Sequence, residues 1–147
     1  MAIDLGALAI GTAASLSEVI TTERIAATAQ LTRDDNPIHV DADQARRFGQ
    51  ARPIAHGVIL LGIVSRIIGT RLPGPGSVWF DSQVEFLAPV YGGEEVRITV
   101  QVAHVSPATR VVVLEIDGIK DGGVPVLRGR AKVRVPVPAA VSDTEHL

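Results

Sequence analysis

The chain has 147 residues, 14 basic and 16 acidic side chains, a formal net charge of -2 and no cysteine. A single domain of this length buries a core without staples, and no disulfide framework, thiolate metal site or thiol nucleophile is open to it. The balanced charge and an aromatic content of 3% exclude the basic footprint and the base-stacking platform of a nucleic-acid binder, while 46% hydrophobic residues point to a folded globule.

In chain order, the apolar stretch Met1 to Leu16 contains no basic residue, the first being Arg24. It lacks the positive segment of a secretory signal, and with the absence of cysteine this gives the expectation of a cytoplasmic protein. Leu16 to Thr21 reads as a short strand entering a helix capped by Thr22, with Glu23 in the first turn where the helix dipole favours an acid. Ile25, Ala26 and Ala29 give that helix a thin apolar face ending at Leu31. Asp34-Asp35-Asn36-Pro37 breaks it, because proline restricts the preceding residue and Asp and Asn favour turns. Asp41 caps a short helical turn closed by Gly49.

Ile54 to Gly69 is the strongest helix. Val58, Leu61, Ile63, Val64, Ile67 and Ile68 cover most of its circumference, which predicts burial nearly all round. His56, Ser65 and Arg66 interrupt it, and it is too short for a membrane span. Gly57, Gly62 and Gly69 are poor helix formers and suggest close approach to a sheet or ligand. From Ser77 the period changes to two. Val78, Phe80, Ser82, Val84 and Phe86 alternate with Trp79, Asp81, Gln83 and Glu85, and three further runs follow: Val96 to Val102, Val112 to Ile116, and Leu127 to Val135. This is antiparallel sheet with one buried face. One buried helix and about five strands predict an α+β domain with the sheet wrapped round the helix. The expectation is one domain over residues 1–147, with a core from about residue 10 to 137 and a short flexible C-terminal tail.

Chemistry concentrates in Asp34-Asp35-Asn36-Pro37-Ile38-His39. Asp34 and His39 lie five residues apart across a proline turn, so a carboxylate and an imidazole can share one water as a general acid–base pair. The same residues are also ordinary turn and capping chemistry, and spacing alone leaves both readings open. A calcium loop starting at Asp34 fails, with His39 where glycine belongs and Ala45 where the final Glu belongs. His39, Asp41 and Asp43 are a weak metal signal. Gly74-Pro75-Gly76 has Trp79 in place of a third glycine, and no nucleophile elbow or phosphate loop exists. His56-Gly57 opens the long helix, where unpaired N–H groups carry partial positive charge suited to a developing oxyanion; taken alone, the pair is better explained by tight packing at Gly57 and a capping role for His56.

Together these segments resemble the MaoC-like (R)-specific 2-enoyl-CoA hydratases, the hydratase 2 family of the hotdog fold. The resemblance rests on Asp34-Asp35-Asn36-Pro37-Ile38-His39, on Arg52-Pro53-Ile54-Ala55-His56-Gly57, and on Phe86-Leu87-Ala88-Pro89-Val90-Tyr91-Gly92-Gly93-Glu94, in that order. It implies a curved antiparallel sheet round a long central helix and a homodimer whose sheets join edge to edge. It also implies a CoA thioester as substrate, no metal or redox cofactor, and no nucleic-acid or membrane partner. Asp34 and His39 are implied to activate water, and Gly57, with Asn36 and His56 nearby, to hold the thioester. The product implied is an (R)-3-hydroxyacyl-CoA. Two departures stand out. Some members carry Ser six residues after the His of His-Gly, where this chain has Gly62, and the residue before the catalytic Asp is often Gly or acidic, where this chain has Arg33. The alternatives on the same fold are an acyl-CoA thioesterase, disfavoured because no acidic residue lies between Arg52 and Arg71, and a non-catalytic acyl-CoA-binding subunit.

Overall fold

A computed structural model describes residues 3–137 of the chain, so the expected C-terminal tail lies outside the described residues. The first strand, β1 (Ala13–Val19), starts three residues earlier than the apolar pattern indicated. Its ladder to β3 (Glu95–Ser106) runs from the Ala13–Gln101 pair to the Val19–Glu95 pair. Ala and Ser carry little strand propensity, so pairing decides the position of β1. Thr21, not Thr22, is the cap of helix α1 (Thr22–Thr32): its Oγ1 accepts the Arg24 N–H at 3.1 Å. Two short helices follow, α2 (Pro37–Val40) and α3 (Ala42–Arg47). The Asp41 carboxylate caps α3 by accepting the N–H groups of Asp43 and Gln44, each at 2.9 Å.

The long helix α4 (Gly57–Thr70) starts later than expected, because Ile54 pairs with Tyr91 in a β-bridge and the Ala55 N–H donates to Val90 O. Only one side of α4 is buried, through Ile59, Leu60, Ile63, Val64, Ile67 and Ile68. Burial of each such side chain contributes about 1.5–3 kcal/mol. Val58, Gly62 and Ser65, spaced at three and four residues, stay exposed outside the chain's core, and Leu61 between them is only partly buried against it. The expectation of burial all round does not hold for one protomer.

The remaining strands are β2 (Val78–Phe86), β4 (Val111–Lys120) and β5 (Val124–Arg134). They join β1 and β3 in one antiparallel sheet of order β1-β3-β4-β5-β2. Val96, Ile98, Val100 and Val102 on β3, Val112, Leu114 and Ile116 on β4, and Leu127, Ala131 and Val133 on β5 form the buried face. The result is an α+β hotdog arrangement, with α4 packed against the curved sheet.

Strand β2 departs from its expected alternation. A bulge between Trp79 and Asp81 leaves Phe80 unpaired. An extra residue reverses which side chains face inward. Trp79 therefore pairs with buried Val133, and beyond the bulge Ser82, Val84 and Phe86 pair with Ala131, Gly129 and Leu127, while Val78 pairs with outward Arg134. Val78 and Phe80 are exposed, and the Arg134 guanidinium lies 5.3 Å above the Phe80 ring. β2 is an edge strand, and its outer rim is unpaired among the described residues.

Candidate active site

The site is built where α1 ends. Arg33 closes α1 in the left-handed conformation, φ 57° and ψ 26°. That is the position glycine commonly fills after a helix, and it turns the chain sharply into Asp34. Asp34 Oδ1 accepts the Asn36 N–H at 3.3 Å, and Asn36 Oδ1 accepts the Ile38 N–H at 3.4 Å. Pro37 then starts α2 with its missing N–H at a position that needs none. Asn36, expected beside the substrate, is thus engaged as the cap of α2 and is exposed.

Two hydrogen bonds tie this turn to the entrance of α4. The Ile54 N–H donates to Ile38 O at 3.0 Å, and His39 Nδ1 lies 2.7 Å from Ile54 O. A carbonyl only accepts, so Nδ1 carries the proton, and neutral His39 keeps a bare Nε2. His56 Nε2 lies 3.0 Å from the backbone carbonyl of Asp34, which by the same logic makes it the protonated nitrogen of His56. The two rings stack with centroids 3.8 Å apart and planes 25° from parallel. The ligand-capable atoms of Asp34, His39 and His56 lie within 4.8 Å of one another, so the fold brings the sequence's acid and imidazole together. Of the four ring nitrogens, two are engaged by backbone carbonyls.

His39 and Gly57 both line a cavity of ≈ 420 Å³, whose apolar wall includes Leu60, Phe86 and Leu87. On its other side His39 borders a smaller cavity of ≈ 220 Å³, edged by Ile25, Val40 and Arg52. Gly57 is the first residue of α4, and among the described residues its N–H has no backbone acceptor. The space a Cβ would need at Gly57 is taken: it would sit 2.7 Å from Cζ of Phe86. Close approach therefore holds at Gly57. At Gly62 and Gly69 nothing among the described residues lies within 4 Å of such an atom. His56 lies 2% exposed behind His39 and lines neither cavity.

The Gly92-Gly93 turn carries the far wall. Its anchor is Glu94, whose carboxylate accepts the Tyr91 N–H at 2.8 Å and pairs with Lys120 at 3.0 Å. Burial opposes ionisation of Glu94, but the Tyr91 N–H, the Lys120 ammonium and the Arg52 guanidinium outweigh it and hold its pKa below the usual 4.5. Sequence reasoning gave no role to Phe86 or Leu60. The Phe-x-x-Pro-Val segment was the available signal for Phe86, but its contact with Gly57 spans 29 residues and depends on the sheet.

Comparison with known proteins agrees with this geometry. Residues 9–120 match the MaoC like domain family. A protein named (R)-specific enoyl-CoA hydratase from Rhodospirillum rubrum is 38% identical over 126 residues, which is 86% of this chain and 87% of the relative. A 3-hydroxybutyryl-CoA dehydratase from Methylorubrum extorquens is 37% identical over 129 residues, 88% of this chain and 82% of the relative. The solved structure of an (R)-hydratase from A. caviae involved in PHA biosynthesis superposes with a TM-score of 0.84 at 33% identity, covering 88% of this chain and 98% of that one. The chain belongs to the MaoC-like domain family and has its hotdog fold.

Proposed function

We propose that the protein is an (R)-specific enoyl-CoA hydratase, a hydro-lyase that adds water to a trans-2-enoyl-CoA and reverses the reaction by dehydration. The observation that carries this reading is the convergence of Asp34 on His39, which itself lines a cavity that also holds the start of α4. Relatives with named hydratase and dehydratase activities over most of the chain support it.

In this reading Asp34 and His39 hold one water over C3 of the enoyl chain. The water oxygen bonds to C3 and the π electrons move toward C2 and the thioester oxygen; the pair accepts one water proton and gives one proton to C2, so that it ends in its starting state. His39 is in the form the first step needs, with Nδ1–H anchored to Ile54 O and Nε2 bare. The acid and base act as one coupled unit. Charge that builds on the thioester oxygen meets the Gly57 N–H and the helix N-terminus, an effect worth about 3 kcal/mol per donor in comparable sites. CoA thioester is substrate, and the chemistry calls for no metal or redox cofactor. We read the setting as cytoplasmic, in keeping with the absence of cysteine.

The working unit in this reading is a homodimer. The unpaired rim of β2, with Val78 57% and Phe80 49% exposed, and the open α4 face at Val58, 51% exposed, are surfaces a second copy would cover. Phe86 lies on β2 and touches Gly57, so the site borders that edge.

The test is purified protein with crotonyl-CoA, following enoyl absorbance and free thiol separately. Loss of absorbance without thiol release is the expected result. Thiol release would make the protein a thioesterase, a reading weakened by the absence of any acidic residue in α4. Binding with neither change would leave a non-catalytic acyl-CoA-binding subunit.

A further inference from the structure

We infer that His56 is a positioning residue that acts through His39, rather than a group that touches substrate; the inference rests on the hydratase reading of the same site. Three observations converge. His56 is 2% exposed and lines neither cavity beside His39, so its side chain is shielded by the residues packed on it. Its side chain does not cap α4, although it stands at the capping position. It instead donates Nε2–H to the carbonyl of Asp34 and lays its ring flat against His39.

The physical consequence is a shared frame. Asp34 and His39 sit on different sides of the Pro37 turn, and no direct hydrogen bond between their side chains holds their separation among the described residues. His56 touches both: one catalytic residue through its backbone carbonyl, the other through its ring face. Donation to a carbonyl requires a proton on Nε2, so neutral His56 carries none on Nδ1, which is buried and has no hydrogen-bond partner among the described residues. A buried imidazole with an unpaired nitrogen is costly. Phenylalanine would fill the same space without that cost but could not grip Asp34. Asparagine would keep a donor but present no ring to His39. The side chain present is the one that does both. His39 is in turn fixed in its plane by two contacts, the Ile54 carbonyl at one edge and the His56 ring at one face.

The test uses the full chain and two variants, His56→Phe and His56→Asn, with nitrogen-15 spectra of the histidine side chains and steady-state kinetics on crotonyl-CoA. The wild type is expected to show His39 as the Nδ1–H tautomer and His56 as the Nε2–H tautomer. Each variant is expected to lose roughly 10- to 100-fold in kcat, the scale of a misplaced catalytic group, while KM stays within about twofold. The His39 signal should shift toward mixed tautomers in both. Unchanged kcat per folded molecule, or a loss confined to KM, would overturn the proposal. So would a wild-type spectrum with His39 as Nε2–H or His56 as Nδ1–H, a result that stands even where the variants fail to fold. If the wild type hydrates no enoyl-CoA, the functional reading fails on its own, while the tautomers still report on the frame.

Discussion

At the scale of single residues, the proposed chemistry rests on Asp34 and His39. Asp34→Asn keeps shape but removes basicity, and His39→Gln removes a proton carrier suited to neutral pH. Either change should lower turnover about 10²–10⁴-fold, with folding and CoA-thioester binding largely kept. The double variant should be little worse than the worse single one, because groups acting as a unit are not additive. Steady-state rates and melting curves on the three variants check this; high turnover by folded Asp34→Asn would remove the pair from catalysis. Arg33 carries a separate prediction. A non-glycine residue in the left-handed region costs about 1 kcal/mol, so Arg33→Gly should raise stability by up to that amount in a denaturant titration. The sequence displayed the Asp34–His39 spacing, but not the tautomer of His39. That is set by the Ile54 carbonyl, 15 residues on in the chain, which meets the ring only where Ile54 bridges to Tyr91 ahead of α4.

At the scale of elements, α4 and β2 define the site together. Gly57 faces two demands: its N–H is offered to the thioester oxygen in the proposed mechanism, and its missing side chain seats the Phe86 ring. Substitution separates them. Gly57→Ala should cost about 1–3 kcal/mol of stability by pushing the ring aside, and turnover should fall roughly tenfold or more. Adding Phe86→Leu should restore the melting temperature but not the turnover. Recovery of both would assign Gly57 to packing alone, and Gly57→Val should be more severe than Gly57→Ala on either measure. Period-two patterning located β3, β4 and β5 well, since each has one fully buried face. It also bounded β2 and kept its alternation from Ser82 to Phe86; only Val78 to Phe80 reads reversed, because Phe80 is unpaired and a bulge leaves no mark in hydrophobic spacing. It also shifted β1, whose Ala and Ser residues give no period to read.

At the scale of the whole molecule, helix type, strand number and the α+β class were legible, because one strongly apolar helix and several alternating runs admit few architectures. What patterning could not supply was the face of α4 left uncovered by its own chain. Apolar residues all round a helix predict burial, and a second copy would supply the part that the chain's own core does not. Sedimentation at micromolar concentration should show a dimer, and Phe80→Lys on the rim of β2 should shift it toward monomer. A wild-type monomer would count against edge-to-edge association. The central claim is a reaction with a defined hand, so the most direct measurement is chiral analysis of the product formed from crotonyl-CoA by the wild-type protein. The expected product is 3-hydroxybutyryl-CoA of the (R) configuration, formed without free CoA. A racemic or (S) product, or free CoA as the main product, would contradict it.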